Sequence, residues 1–313
     1  MLPTPVNTGN LPETARQYAT HAKAENTRRA YASDWQHFCD WCQQRALSPL
    51  PAKPETVAEY LAQLASTGKR ASTITRRAST IASAHRAAGH RSPTESELVR
   101  VTLQGIRRSL GTAPAQKAPL RVDDLRTYVL QLGDSLQAKR DKALLLLGYA
   151  GAFRRSELVA LNLEDLHFTS QGVRITIRRS KTDQEAQGMV KAIPYGKNRA
   201  TCPVRALQDW LTGARITSGA VFRRIDRWGH VGNRISDQTV ALVVKRACKE
   251  LGLPQALFGA HSLRAGLVTD AYAHDVSEAV IQQQSGHKSV PVLRRYRREA
   301  DLFKANVLNA LPL

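Results

Sequence analysis

Apolar residues in the first third of the chain recur every three or four positions, the spacing that lines one face of a helix. Tyr31, Trp35, Phe38 and Cys42 step by four, three and four. That spacing predicts a helix over about 27–45, capped by Asn26 or Thr27. A shorter helix is expected over 13–23, behind a loose start rich in Pro, Asn and Thr (1–12). Three prolines within SPLPAKP (48–54) break the pattern. Val57, Tyr60, Leu61 and Leu64 resume it on a helix over 55–66, and further helices fit 71–88 and 94–110. With no alternating stretch between them, this half reads as a helical bundle.

GTAPAQKAP (111–119) is small, flexible and punctuated by proline, and so reads as a linker. Helices are expected over 122–132 and 137–149, then a short one within 151–166 that turns Leu158 and Leu161 inward. The period then changes to two. Val173, Ile175 and Ile177 face one way and Arg174, Thr176 and Arg178 the other, and 189–195 can pair with them across a polar turn at 183–188. Helical spacing returns over 202–211 and 236–251, and a tail helix over 301–313 gathers Leu302, Phe303, Val307, Leu308 and Leu311. No internal repeat or low-complexity tract interrupts the chain. The expected fold class is mainly α: an N-terminal helical domain (1–112), a linker (113–119), and a C-terminal mixed α/β domain (120–313), mostly helical with a small antiparallel sheet.

Composition narrows the function. The 313 residues leave room for two cores, and an apolar share of 42% fits a folded chain. The net charge of +20 calls for a polyanionic partner, nucleic acid before a membrane surface. No apolar run approaches the ~20 residues that span a bilayer. The N-terminus lacks the charged and apolar regions of a secretory signal, so a cytoplasmic address is expected. Residues 1–65 carry six Lys/Arg and six Asp/Glu, whereas 66–120 carry ten Lys/Arg against two acids. The surplus marks Arg28, Lys69, Arg70, Thr73, Arg76, Arg77 and Arg86 as candidate DNA contacts, with Arg294 and Arg295 in the second half. The alternative for such a run is a solvated basic face. Cys39 and Cys42 form a C-x-x-C beside His37, but structural zinc needs four ligands and no second Cys/His pair stands at ligand spacing. Buried thiols, and no metal, are expected.

The densest chemistry lies in 260–298. His261 and Arg264, three residues apart, share a helix face and can reach one anion. His287 follows a glycine, and Tyr296 stands in the run Arg294-Arg295-Tyr296-Arg297-Arg298, a positive surrounding that favours a phenolate. Arg154, with Glu157 one turn later, can add a second guanidinium held by a carboxylate. Lys181, at the tip of the expected hairpin, is the candidate general acid, with Lys191 and Lys197 as alternatives. Tyrosine attack on a phosphodiester requires donor forks for two non-bridging oxygens and a proton for the leaving oxygen, which arginines, histidines and a lysine supply without metal.

Arg154 in GAFRRSEL, Lys181 in RRSKTD, HSLR (His261, Arg264), GHKS (His287) and Tyr296 resemble, in order and spacing, the tyrosine site-specific recombinases of the phage-integrase family. NTRRAYASDWQHFCDWC and STITRRASTIASAHRAAG resemble its core-binding domain, and the layout is closest to its Cre-like and Xer-like simple members. His287 stands where most of the family has His and the Cre type has Trp. The resemblance implies a SAM-like N-terminal domain and a catalytic C-terminal domain closing as a C-shaped clamp on DNA. It implies a 3′-phosphotyrosyl intermediate and a Holliday junction, with no cofactor, within a homo-tetramer on two duplexes that is a monomer or weak dimer off DNA. The tail would dock on a neighbouring protomer or pack on its own domain. A DNA-binding repressor or architectural protein, or a type IB topoisomerase, is the competing reading.

Overall fold

The computed structural model describes residues 25–113, 116–178, 188–287 and 289–300, the side chains of 297–300 excepted, together with Leu308 and Leu311. The helix expected over 13–23, Lys181, the polar turn beyond it and nearly all of the tail lie outside the described residues. The chain divides into two compact units, 1–115 and 116–313.

The described residues of the first unit form four α-helices: α1 (Glu25–Gln43), α2 (Pro54–Ser66), α3 (Ala71–Ala87) and α4 (Glu97–Leu110). Their periodic residues meet as expected, since Trp35, Phe38 and Cys42 bury against Val57, Tyr60, Leu61, Leu64, Ile74 and Ile81. Among the polar groups buried in this unit are His85 and Asp34. The imidazole of His85 stands between the backbone N–H of Ala52, which donates to Nε2 at 2.9 Å, and the carbonyl of Ile81, 2.9 Å from Nδ1. Those partners fix a neutral ring protonated on Nδ1 and tie the proline-rich loop to α3. Asp34 on α1 is buried against Arg76 at 2.9 Å and Arg77 at 3.5 Å. The cysteines follow the expectation of thiols packed in a helix, Cys42 buried and Cys39 partly so.

The second unit is built around α6 (Leu136–Ala150), whose residues 143–149 are all buried, as a helix surrounded by protein must be. Against it pack α5 (Val122–Gln131), α8 (Pro203–Gly213), α9 (Asp237–Glu250) and α10 (His261–Ala273). The short α7 (Arg155–Ala160) follows α6 after a sharp turn. The sheet is larger than expected: β1 (Leu166–Thr169), β2 (Gly172–Ile177) and β3 (Met189–Pro194) run antiparallel in that order. Val173, Ile175 and Ile177 point into the core, as the alternation requires. A second pair, β4 (Arg223–Ile225) and β5 (Val231–Arg234), was not expected from the pattern. From β5, Arg234 donates to the carbonyls of Val159 and Leu161 and so holds the end of α7. After α10 come α11 (Glu278–Ser285) and α12 (Val290–Ala300).

Gly266 lets α10 approach the incoming chain, because a Cβ there would stand 1.9 Å from the carbonyl oxygen of Leu120. Asp270, one turn further along α10, accepts from Arg121, from the Val122 backbone N–H at 2.8 Å and from the Tyr149 hydroxyl. Together these fix the helix that begins with His261.

Candidate active site

Five of the six residues expected to be catalytic come together in the second unit, on four separate segments; the sixth, Lys181, lies outside the described residues. Arg154 caps α7. Glu157, buried one turn later, accepts from the Arg154 backbone N–H at 2.9 Å and from its Nη1 at 2.6 Å. One carboxylate therefore caps the helix and aims the guanidinium. The turn before it carries Ala152 at φ 44°, which leaves the Gly151 and Ala152 carbonyls facing inward.

His261 and Arg264 lie in the first turn of α10, as their spacing predicts. Arg264 is 2% exposed, and its Nη1 donates to the Ala152 carbonyl at 2.8 Å. Burial, with the charge of Arg154, pulls the guanidinium pKa down to about 10, which still leaves it charged at neutral pH. The His261 side of the turn is more open. Desolvation of its ring and the charges of Arg264 and Arg154 hold its pKa below the ordinary 6.5.

Gly286 ends α11 in the left-handed region (φ 67°), where a side chain would be strained and a Cβ would crowd Met189 at 2.7 Å. That turn returns His287 to the site. The Ser285 hydroxyl donates its proton to the Ile281 carbonyl at 2.6 Å, so the 2.7 Å contact between Ser285 Oγ and His287 Nδ1 has the ring N–H as donor. Nε2 of His287 is then left with the lone pair. Burial, followed by the charges of Arg264, Arg154, His261 and Lys191, pulls its pKa down to about 3.

Tyr296 is 7% exposed and sits in an apolar cluster with Val268, Tyr272, Ile281 and Leu293, which docks α12 on α10 and α11. Its hydroxyl is 2.8 Å from Nε2 of His261, and its ring centre is 6.1 Å from that of His287. Of the four arginines expected around Tyr296, the side chains of Arg297 and Arg298 lie outside the described residues. Arg294 and Arg295 precede Tyr296 by two residues and one on the helix, which turns them away from it; both are exposed, and Arg294 pairs with Glu278 at 3.3 Å. Among the described side chains, Arg264 is the charge that interacts with Tyr296, and Arg154 acts in turn on Arg264.

Lys191, named only as an alternative at the sequence level, proves to be a buried member of the site. It occupies the inward register of β3 opposite Ile175, is 3% exposed, and donates to the carbonyls of Gly151 and Gln284. Burial, then Arg264, lowers its pKa to about 7, against a raising effect from Glu157. The available signal was alternation, since Lys191 shares the inward face with Ile193.

Among the candidate DNA contacts, Arg28, Lys69, Arg70, Arg76 and Arg86 are exposed and Thr73 is half-buried. Arg77 is a correction. Its side chain is 12% exposed, beside Asp34, and donates to the Tyr60 hydroxyl at 3.0 Å, so it belongs to the interior of its domain. No group of three His, Cys, Asp or Glu among the described residues is arranged to hold a metal ion. Among them, no helix is long and apolar enough to cross a membrane.

Comparison with known proteins gives the same assignment along most of the chain. The model described as Phage integrase family matches residues 119–302, and that of the phage integrase N-terminal SAM-like domain matches 17–92. An integrase/recombinase xerD homolog of Selenomonas ruminantium is 43% identical over 312 residues, covering 97% of this chain and 91% of its own. Recombinase cre of Escherichia phage P1 is 25% identical over 300 residues, with 90% and 86% covered. Among solved structures, XerH site-specific recombinase bound to a palindromic difH substrate in a post-cleavage complex superposes with a TM-score of 0.65 at 16% identity, covering 94% of this chain and 84% of that one. A lambda integrase dimer bound to a COC′ core site gives 0.59 at 21% identity, covering 91% and 92%.

Proposed function

The chain belongs to the phage integrase family and is an enzyme of site-specific DNA recombination; within that activity, we propose that Tyr296 is the nucleophile that cuts and holds the strand. The hydroxyl of Tyr296 attacks the scissile phosphorus. The bond to the 5′ oxygen breaks, leaving a 3′-phosphotyrosyl link and a free 5′-hydroxyl. His261, neutral at pH 7 and 2.8 Å away, takes the hydroxyl proton. Arg264 and Arg154 hold the two non-bridging oxygens, Glu157 having aimed the second of them. The leaving 5′ oxygen takes its proton from Lys181. His287 reaches a non-bridging oxygen once the phosphate's negative charge raises its pKa and Nε2 gains a proton. The 5′-hydroxyl then gives up its proton and attacks the phosphotyrosyl phosphorus on a partner duplex. The bond to the Tyr296 oxygen breaks and that oxygen regains a proton, and two such exchanges make and resolve a Holliday junction.

The observation that carries this reading is the contact between Tyr296 and His261 beside a buried arginine. Residues 1–112 grip the duplex through the basic face of α3, and 120–313 perform the chemistry. Four copies assemble on two duplexes, with tail 301–313 docked between protomers; off DNA the protein is a monomer or weak dimer. Its place is the cytoplasm of a bacterial cell, where the DNA is.

The test uses a nicked suicide substrate, its site found by recovering bound genomic fragments. Wild type should trap a covalent adduct at the 3′ phosphate in EDTA, and Tyr296→Phe should trap none. Tight binding with no wild-type adduct would leave a DNA-binding protein in place of a recombinase. Adduct with relaxation of supercoils but no strand exchange would indicate a topoisomerase.

A further inference from the structure

We propose that Lys191 is a positioning residue, whose ammonium clasps the turn that carries Arg154 to the turn that carries His287. The inference rests on the active-site reading above and adds a residue to it. Nζ donates to the carbonyl of Gly151, three residues before Arg154, and at 2.6 Å to that of Gln284, three residues before His287. These segments lie 40 and 93 positions from Lys191, so one side chain joins three parts of the chain. A second bridge runs in parallel, from Gln284 Nε2 to the Ala150 carbonyl at 2.7 Å. The Lys191 amine also stands 5.1 Å from the centre of the Phe153 ring, whose face attracts a cation.

Burial on this scale is costly for an ammonium, and two guanidiniums, Arg264 and Arg154, repel it while Glu157 draws it in. A lysine serving merely as filler would be better replaced by leucine. What an ammonium adds is a set of charged donors that serves both carbonyls at once, which leucine could not do. The cost falls when a phosphodiester binds and its negative charge offsets the guanidiniums. The clasp is therefore strongest when both turns must hold the substrate.

The same amine, with a pKa near neutrality, would also suit a proton donor, so the experiment separates the two roles. Single-turnover cleavage is measured on a natural nicked substrate and on one with sulfur in place of the leaving 5′ oxygen, since a thiolate leaves without a proton. Lys191→Met should cleave about 100-fold more slowly on both substrates, the scale of a misplaced catalytic group. Its affinity for DNA should remain that of wild type. Lys191→Arg keeps donors for both carbonyls but cannot act as an acid near neutral pH, and it should retain most of the rate. Thermal melting shows which variants fold, and either one alone decides. A slow variant restored on the sulfur substrate would make Lys191 the acid and overturn the proposal, as would Lys191→Met cleaving at the wild-type rate. If wild type itself forms no adduct, the recombinase reading fails; if wild type cleaves normally and only these comparisons fail, the clasp alone is wrong.

Discussion

The Tyr296 hydroxyl and Nε2 of His261 lie 2.8 Å apart although 35 positions separate them in the chain. The contact is made within one protomer, because Leu293, Val268 and Ile281 seat α12 against α10 and α11. A neutral imidazole at that distance makes the hydroxyl a better nucleophile at the moment its proton leaves. His261→Ala should therefore slow adduct formation by about 10²–10⁴-fold, the usual range for a lost general base, with DNA affinity nearly unchanged. Single-turnover gels on the nicked substrate check it. A His261→Ala rate within a few-fold of wild type would remove the histidine from that role.

On the proposed mechanism, Glu157 supports catalysis without touching the reacting atoms. Its carboxylate is almost wholly buried, and it holds both the backbone and the guanidinium of Arg154. Glu157→Ala should cost about 1–3 kcal/mol of stability, because a buried guanidinium partner and a helix cap are lost together. Cleavage should fall by roughly 10–100-fold as Arg154 loses its aim, in the range seen when an orienting neighbour is removed. Glu157→Gln, which can still accept from the backbone, should recover much of the stability and less of the rate. Chemical denaturation and cleavage measured on the same samples separate the two effects.

What the sequence reveals depends on how local the cause is. Helices α1 to α4 are legible because Trp35, Phe38, Val57, Leu61 and their neighbours repeat within each element. The Arg154, His261, Arg264, His287 and Tyr296 set is legible through its motifs, but its geometry is not. Nothing local places Ala152's carbonyl under Arg264 or separates Arg294 and Arg295 from Tyr296. Strands β4 and β5 escape notice because RRIDRWGHVGNR is polar and hardly alternates. Their turn is held by Asp226, which accepts from the backbone N–H groups of Trp228 and His230 at 2.9 Å. Arg77 misleads for a related reason: Asp34, its partner, sits 43 positions earlier on another helix, so a charge count along 66–120 cannot subtract it.

Acid should weaken the catalytic unit through its histidines. His287 is held neutral in the fold, with a pKa near 3 against an ordinary 6.5, and His261 is shifted the same way. Below pH 6.5 the unfolded chain binds protons that the folded site refuses. Stability is thus full above that value and falls as pH drops toward 3. Melting curves of the DNA-free protein between pH 7.5 and 5 should move to lower temperature, and His287→Gln should flatten the dependence. An equal slope in wild type and variant would show that His287 is not the group responsible. Bound DNA should reduce the dependence too, since phosphate charge raises the pKa of the folded-state histidine.

The basic residues of the first unit should divide into two classes. Lys69 and Arg86 are exposed, and no described carboxylate pairs with them, so each can meet a phosphate. Replacing either with alanine should lower the slope of log affinity against log salt by roughly 0.9 per lost phosphate contact, with the melting temperature nearly unchanged. Arg77 should behave in the opposite way. It lies beside Asp34, whose carboxyl is raised by burial and lowered by Arg76 and Arg77, and it bonds Tyr60. Arg77→Ala leaves Asp34 with one guanidinium, Arg76, whose side chain is 42% exposed. The unit should therefore lose stability while the salt slope stays close to wild type. Fluorescence anisotropy at several salt concentrations, paired with thermal melts, distinguishes the classes. An Arg77→Ala protein that melts normally but loses one phosphate's worth of salt dependence would return that arginine to the DNA face.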